Sequence, residues 1–246
     1  MLMFADDLLL FSHGDPSSVS ILKSCLGSFS SLSGLVANPS KSDCFVSCKD
    51  LSLREAIYHA AGFRRGSLPM RYLGIPLLSS KLSFGDCQPI IDRVRDRICA
   101  WRSRALSFGG RLQLVQSVLS TIYVYWASIF ILPKKVIKDI EQLIRNFLWS
   151  GNDLDPYKAK VAWRDICYPK KQGGLGIKPL YVWNQSLVAK LVWRVLVGNK
   201  ESLWVQWVHT YRVGGTCFWL LKTPYACPWY WRKLLLVRGT LKPFFG

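Results

Sequence analysis

Acidic residues are scarce in this chain: 15 Asp and Glu stand against 33 Lys and Arg, and no acid follows Glu201. The formal net charge of +18 exceeds what solubility requires and implies a polyanionic partner, either nucleic acid or an anionic membrane surface. The excess is uneven, +5 over residues 1–123 (14 basic, 9 acidic) and +13 over residues 124–246 (19 basic, 6 acidic). Also lacking is any CxxC pair or Cys/His cluster with zinc-ligand spacing, although the chain has 8 cysteines. Their low density speaks against a secreted disulfide scaffold and for reduced thiols in an intracellular protein, nuclear or cytoplasmic. No signal peptide is evident, because Asp6 and Asp7 interrupt the one N-terminal apolar run and no basic segment precedes it. Low-complexity tracts and clear internal repeats are absent too.

What is present is apolar and aromatic. Half of the 246 residues are hydrophobic, enough for a sizeable core in one large domain or two smaller ones, and 11 are tryptophan. Residues 112–132 carry no charge, a length that could span a bilayer. Yet Gln113, Gln116, Ser117, Ser120 and Thr121 recur on one helical face, and Leu114, Val115, Val118, Leu119 and Ile122 on the other. That pattern favours a buried amphipathic helix, with no stable membrane association. A membrane-associated protein using 112–132 is the alternative.

Periodicity gives a coarse map. MLMFADDLLLFS reads as a β-hairpin with the two acids in its turn. A helix follows Asp15-Pro16 with Val19, Leu22, Leu26 and Phe29 as its apolar positions, and another covers Leu53 to Ala61. A short strand falls around Cys44 to Ser47, and LPMRYLGIPLL reads as strand–turn–strand. From Asp86 the pattern is helical. Ile90, Ile91, Val94, Ile98 and Trp101 form one stripe; after Pro133, Val136, Ile140, Leu143, Ile144 and Phe147 form another, ending at Gly151. Residues 152–180 are loop-like, and the remainder interleaves Trp with Lys and Arg. Those tryptophans could stack on unpaired bases, but Trp193, Trp204 and Trp207 fall on helical patterns expected of core residues. The expected fold is α+β, in three parts: residues 1–85 with short strands, a helical region 86–151, and a basic Trp-rich region 152–246.

Adjacent carboxylates on a hairpin tip suit a hard divalent cation such as Mg²⁺, which takes oxygen ligands and is commonly completed by substrate phosphates. FADD between apolar strings resembles the catalytic hairpin of reverse transcriptases from non-LTR (LINE-type) retrotransposons. SGLVANPSKS is similar to the family's next motif and RYLGIPL to the one after it. The stretch from Asp86 to Gly151 resembles the thumb-like region of plant members. The segment from Lys160 through KKQGGLG into the Trp-rich tail resembles the part leading to their C-terminal zinc-binding region. The motifs follow in order and cover nearly the whole chain.

The resemblance implies a partial polymerase palm, then a mostly α-helical thumb-like region and a Trp-rich helical tail. The parent activity would be RNA-directed DNA synthesis with Mg²⁺, on an RNA template and DNA primer. Asp6 and Asp7 would ligate the metal, and Lys41 would assist the leaving pyrophosphate. Tyr72, Leu73 and Gly74 would position the primer end. Arg93, Arg97, Arg104, Lys134, Lys135 and Lys138 would contact the nucleic-acid backbone. The family's fingers, its other catalytic aspartate, its endonuclease and its zinc ligands have no counterpart here. Met1 accordingly reads as an internal methionine of a longer polymerase, and this chain is expected to be inactive alone. A non-catalytic nucleic-acid-binding protein that keeps the basic thumb is the other alternative.

Overall fold

Among the described residues, short strands paired in twos and two helices open the chain, and packed helices close it. The computed structural model describes residues 1–78, 80–101, 106–151, 161–198 and 201–242. It divides into two compact units, Met1–Ser79 and Ser80–Gly246.

In the first unit, β1 (Leu2–Phe4) runs antiparallel to β2 (Asp7–Leu9), in the register Leu2↔Leu9, Met3↔Leu8 and Phe4↔Asp7. The turn is therefore Ala5-Asp6, with Asp7 inside the strand, which corrects the expectation that both acids form the turn. Ala5 takes the left-handed φ of 49°. Nothing in the neighbouring sequence explains why an alanine, rather than an acid, occupies that position. Helix α1 (Pro16–Ser33) starts at Asp15, whose carboxylate accepts the Ser18 N–H at 2.7 Å and the Ser17 hydroxyl at 2.5 Å. Those bonds favour the charged form and hold the Asp15 carboxyl down to about 2, led by the Ser17 bond. Gly34, in the left-handed region at φ 73°, stops the helix.

Next come β3 (Asp43–Cys44), α2 (Leu51–Ala61) and β4 (Arg64–Arg65). The two strands pair in parallel, which requires a crossover, and α2 supplies it. Helix α2 packs on α1, where Lys23 Nζ donates to the Ala60 carbonyl at 3.3 Å. The last ribbon joins β5 (Met70–Tyr72) to β6 (Ile75–Leu77) through Leu73 (φ 51°) and Gly74 (φ 79°). Two successive left-handed residues are what a type I′ turn demands. Among the described residues of this unit only Ile57, Ala61, Ile75 and Pro76 are buried, and no residue of α1 is.

The second unit is helical. Ser83 and Asp86 exchange reciprocal bonds: the Asp86 carboxylate accepts the Ser83 N–H at 2.8 Å, and the Asp86 N–H donates to Ser83 Oγ at 3.2 Å. A single tight turn, Gly85–Cys87, then leads into α3 (Gln88–Cys99). The stripe read from sequence holds: Ile90, Ile91, Val94 and Ile98 are buried, and Trp101 stacks on Phe147 with ring centroids 5.5 Å apart.

The uncharged stretch is not one regular helix. It comes as α4 (Phe108–Leu114), a π-helical turn (Val115–Leu119), α5 (Ser120–Ile122) and α6 (Val124–Ile129). Val115, Leu119, Tyr123, Trp126 and Ala127 are buried, while Gln113, Ser117 and Thr121 stay exposed. Gln116, on the expected polar face, instead donates to the Leu175 carbonyl at 2.8 Å. Among the described residues, no helix is long and apolar enough to cross a membrane.

Helix α7 (Lys134–Ser150) buries Val136, Ile137, Ile140, Ile144, Phe147 and Leu148, with Leu143 half-buried. After the short α8 (Trp163–Ile166), the GGLG stretch folds onto the preceding chain. Leu175 N–H donates to the Ile166 carbonyl at 2.8 Å and Gly176 N–H to the Tyr168 carbonyl at 2.9 Å. A Cβ on Gly174 would lie 2.0 Å from the Tyr168 carbonyl oxygen, so only glycine fits.

Helix α9 (Leu180–Val197) begins where its Leu180 N–H meets Glu141 Oε1 of α7 at 2.8 Å. Its Asn184, 1% exposed, ties three strangers together. The amide donates to the Ala127 and Phe130 carbonyls at 2.6 and 2.7 Å, and Oδ1 accepts the Leu132 N–H at 2.9 Å. Then α10 (Leu203–Val208) passes directly into a second π-helical turn, His209–Val213, and α11 (Trp229–Leu241) closes the unit. Val188, Val192, Val195, Val208, Val213, Trp231 and Leu234 share one core cluster. All 8 cysteines are free thiols; burial pushes Cys87 up to about 12 and Cys167 to about 11.

Candidate nucleic-acid interface

Asp6 and Asp7 are both exposed at the tip of the first hairpin. They present hard oxygen donors of the kind Mg²⁺ takes, but two carboxylates supply only part of its shell. Among the described residues, no group of three or more His, Cys, Asp or Glu is placed to hold a metal ion. The pair thus fits the metal in chemistry and falls short in number.

Lys41 is exposed, on a turn built by Asn38. The Asn38 side-chain oxygen accepts from the Ser40 N–H at 2.9 Å, and its carbonyl accepts from the Lys41 N–H at 3.1 Å. Among the described residues, no ion pair joins Lys41 to Asp6 or Asp7; the pairs in this unit are Arg64–Asp43 and Arg65–Glu55. Tyr72 ends β5 half-buried, and Gly74 sits exposed in the adjoining turn, so both belong to one hairpin.

The basic residues expected on the helical region fall on α3 and α7, which pack side by side. Lys135 Nζ lies 4.3 Å from the Phe84 ring near the start of both helices, and Trp101 meets Phe147 near their ends, so the helices run in the same direction. Arg93, Arg97, Lys134, Lys135 and Lys138 are all exposed. Arg104 lies outside the described residues. Arg95, between the first two, is committed to Asp92 at 2.6 Å. Arg97 leans over the Trp101 ring at 6.0 Å.

The three lysines occupy the beginning of α7, where the helix dipole is already positive. Cations there gain nothing from the dipole and repel one another. Helix stability does not account for them, whereas a polyanion would be attracted by lysines and dipole together.

The tryptophan expectation is corrected in part. Trp204 is half-buried against the core, but Trp193 is 50% exposed and Trp207 47%. Cations lie over several rings: Lys178 over Trp183 at 3.6 Å, Arg212 over Trp207 at 5.3 Å and Lys233 over Trp229 at 5.8 Å. The four-residue spacings of Trp229/Lys233 and Arg97/Trp101 could have signalled such pairs from sequence, and that of Trp207/Tyr211 the ring contact between them.

Charge separates sharply between the units. Met1–Ser79 carries 7 Lys and Arg against 6 Asp and Glu, a net +1, and Ser80–Gly246 carries 26 against 9, a net +17.

No protein-family model matches this chain. Over 130 residues, 53% of the chain, it is 37% identical to a protein of Arabidopsis thaliana named "Putative ribonuclease H protein", of which it covers 21%. Over 74 residues, 30% of the chain, it is 35% identical to an "Uncharacterized mitochondrial protein" of the same plant, of which it covers 48%. The chain thus spans about a fifth of one relative and just under half of the other.

Proposed function

We propose that this chain is part of a plant LINE-type retrotransposon reverse transcriptase, and that its own contribution is to bind template and primer through the basic helical unit. The observation that carries this reading is the division of charge. A near-neutral unit presents an acid pair on a hairpin tip, and a helical unit of net +17 follows it. The order of motifs from FADD to GGLG supports the polymerase ancestry. Likeness to a protein named as a ribonuclease H, which by that name acts on nucleic acid, supports the partner.

In the parent reaction a bound Mg²⁺ would supply neutralisation of phosphate charge and activation of the attacking hydroxyl. Asp6 and Asp7 would hold it, together with donors from outside this chain. Lys41 would offer a cation to phosphate from the exposed Asn38 turn. The Tyr72–Gly74 hairpin would brace the primer end, and Arg93, Arg97, Lys134, Lys135 and Lys138 would hold the backbone.

Primer extension with the purified chain, Mg²⁺, an RNA template and a DNA primer tests the reading. The expected result is binding of the template–primer without incorporation. Incorporation that disappears with Asp6→Ala would show a complete active site and overturn the claim that the chain is inactive alone. Failure to bind would overturn the reading itself. The shortage of metal ligands among the described residues favours a second reading, a nucleic-acid-binding protein that uses no metal; it predicts binding unchanged by EDTA.

A further inference from the structure

Trp207 and Tyr211 face outward from the surface of the second unit, 47% and 70% exposed. Their ring centroids are 5.8 Å apart at a tilt of 38°, and the Arg212 guanidinium lies 5.3 Å from the Trp207 ring. The support beneath them is firm. Val205, Val208 and Val213, from the same stretch, are buried, and His209 Nε2 is bonded to the Val195 carbonyl of α9 at 2.9 Å. Two large rings are thus left in solvent on a backbone anchored at both ends. The stretch includes the π-helical turn His209–Val213, a departure from regular helix that recurs at functional sites. Folding stability gives no reason to expose such rings.

The surrounding charge selects the occupant. From Ser202 onward the sequence carries Arg212, Lys222, Arg232, Lys233, Arg238 and Lys242 and no acid. Arg238 is taken up by the Phe218 and Leu221 carbonyls and Arg232 by the Tyr225 carbonyl. Arg212, beside the rings, has no ion pair among the described residues. Flat aromatic surface next to an unneutralised guanidinium matches a ligand that is at once aromatic and anionic. Single-stranded nucleic acid is both, whereas a duplex hides its base faces and an acidic peptide lacks them.

We infer that Trp207, Tyr211 and Arg212 form a stacking platform for unpaired nucleobases, with Arg212 on the adjoining phosphate. The inference rests on the nucleic-acid reading above and adds to it a strand preference and a place. Stacking is short-ranged and insensitive to salt, while phosphate contact releases counterions. The two contributions can therefore be separated.

Fluorescence anisotropy of labelled oligothymidylate, oligouridylate and a blunt duplex, titrated with the full chain over a range of salt, provides the test. The double variant Trp207→Ala/Tyr211→Ala should weaken both single strands about tenfold, leave the salt slope unchanged and alter duplex affinity less than twofold. Trp207→Phe should retain most of the binding. Arg212→Gln should lower the salt slope by about 1. Single-strand affinity unchanged in the double variant overturns the platform and leaves the nucleic-acid reading standing. So does an equal loss on single strand and duplex, or displacement of the oligonucleotides by polyglutamate at equal charge. If the unaltered chain binds none of the three, both readings fall. A thymidylate-only or uridylate-only effect supports the platform and assigns its preferred strand chemistry.

Discussion

The two units are made from similar proportions of apolar residues and use them in opposite ways. In Met1–Ser79 the large side chains lie in the open: Phe4 is 62% exposed and Leu32 89%. In Ser80–Gly246 comparable residues are fully enclosed, among them Phe147, Ile140 and Leu148. Patterning contributes, since the apolar stripe of α1 (Val19, Leu22, Leu26 and Phe29) is much weaker than that of α7, but it is not the whole difference. What also separates them is the availability of a second layer. Helix α7 has α3, α4 and α9 to pack against, whereas the strands of the first unit pair only in twos among the described residues. Hydrophobic pattern specifies a face, and a core requires a partner for it.

The contrast can be broken most forcefully in the second unit. Phe147→Ala removes a fully buried ring and should cost about 3–5 kcal/mol in urea unfolding followed by Trp fluorescence. Leu32→Ala should change stability by no more than about 0.5 kcal/mol in the same measurement. Equal losses would mean that α1 is covered in solution.

A smaller effect is expected at the glycine that presses on the Tyr168 carbonyl. Gly174→Ala cannot keep that approach and should destabilise the second unit by about 2–3 kcal/mol, with loss of amide protection at Leu175 and Gly176. Gly173→Ala also strains a left-handed residue, at φ 84°, but meets no neighbouring atom within 4 Å and should cost less.

The smallest effect belongs to the Asp15 cap of α1. With its folded value lowered to about 2, the Asp15 carboxylate stabilises α1 fully above its unfolded value of about 4. That contribution fades as pH falls from about 4 through about 2. The Ser18 amide, followed by NMR, should shift with a midpoint near 2. Asp15→Asn should remove the titration and keep the helix.

Local signals carried the elements and missed what tied them together. The stripes of α3 and α7, the Asp15 start, the Gly151 stop and the Tyr72–Ile75 turn were legible, because each depends on residues within one or two turns of chain. The Ala5 conformation was not, and it moved the hairpin turn by one residue and put Asp7 in a strand. Nor was the π-helical turn at Val115–Leu119, which gives Gln116 a backbone partner 59 residues away. Asn184 carries no local signal of its role, since its three partners lie 52 to 57 residues distant. For the site, the sequence named the acids and the cations but not their commitments: Arg95 is paired, and Trp193 and Trp207 are outside the core.

The central claim is that the basic helical unit, rather than the acid pair, holds nucleic acid. Affinity for an RNA–DNA template–primer, measured against salt for the unaltered chain and two variants, tests it directly. Lys134→Gln/Lys135→Gln/Lys138→Gln should weaken binding and lower the salt slope by about 2 to 3, as expected for three lost phosphate contacts. Asp6→Asn/Asp7→Asn should leave affinity and slope unchanged or slightly raise affinity. A slope indifferent to the three lysines, or binding abolished by the aspartate changes, would contradict the account.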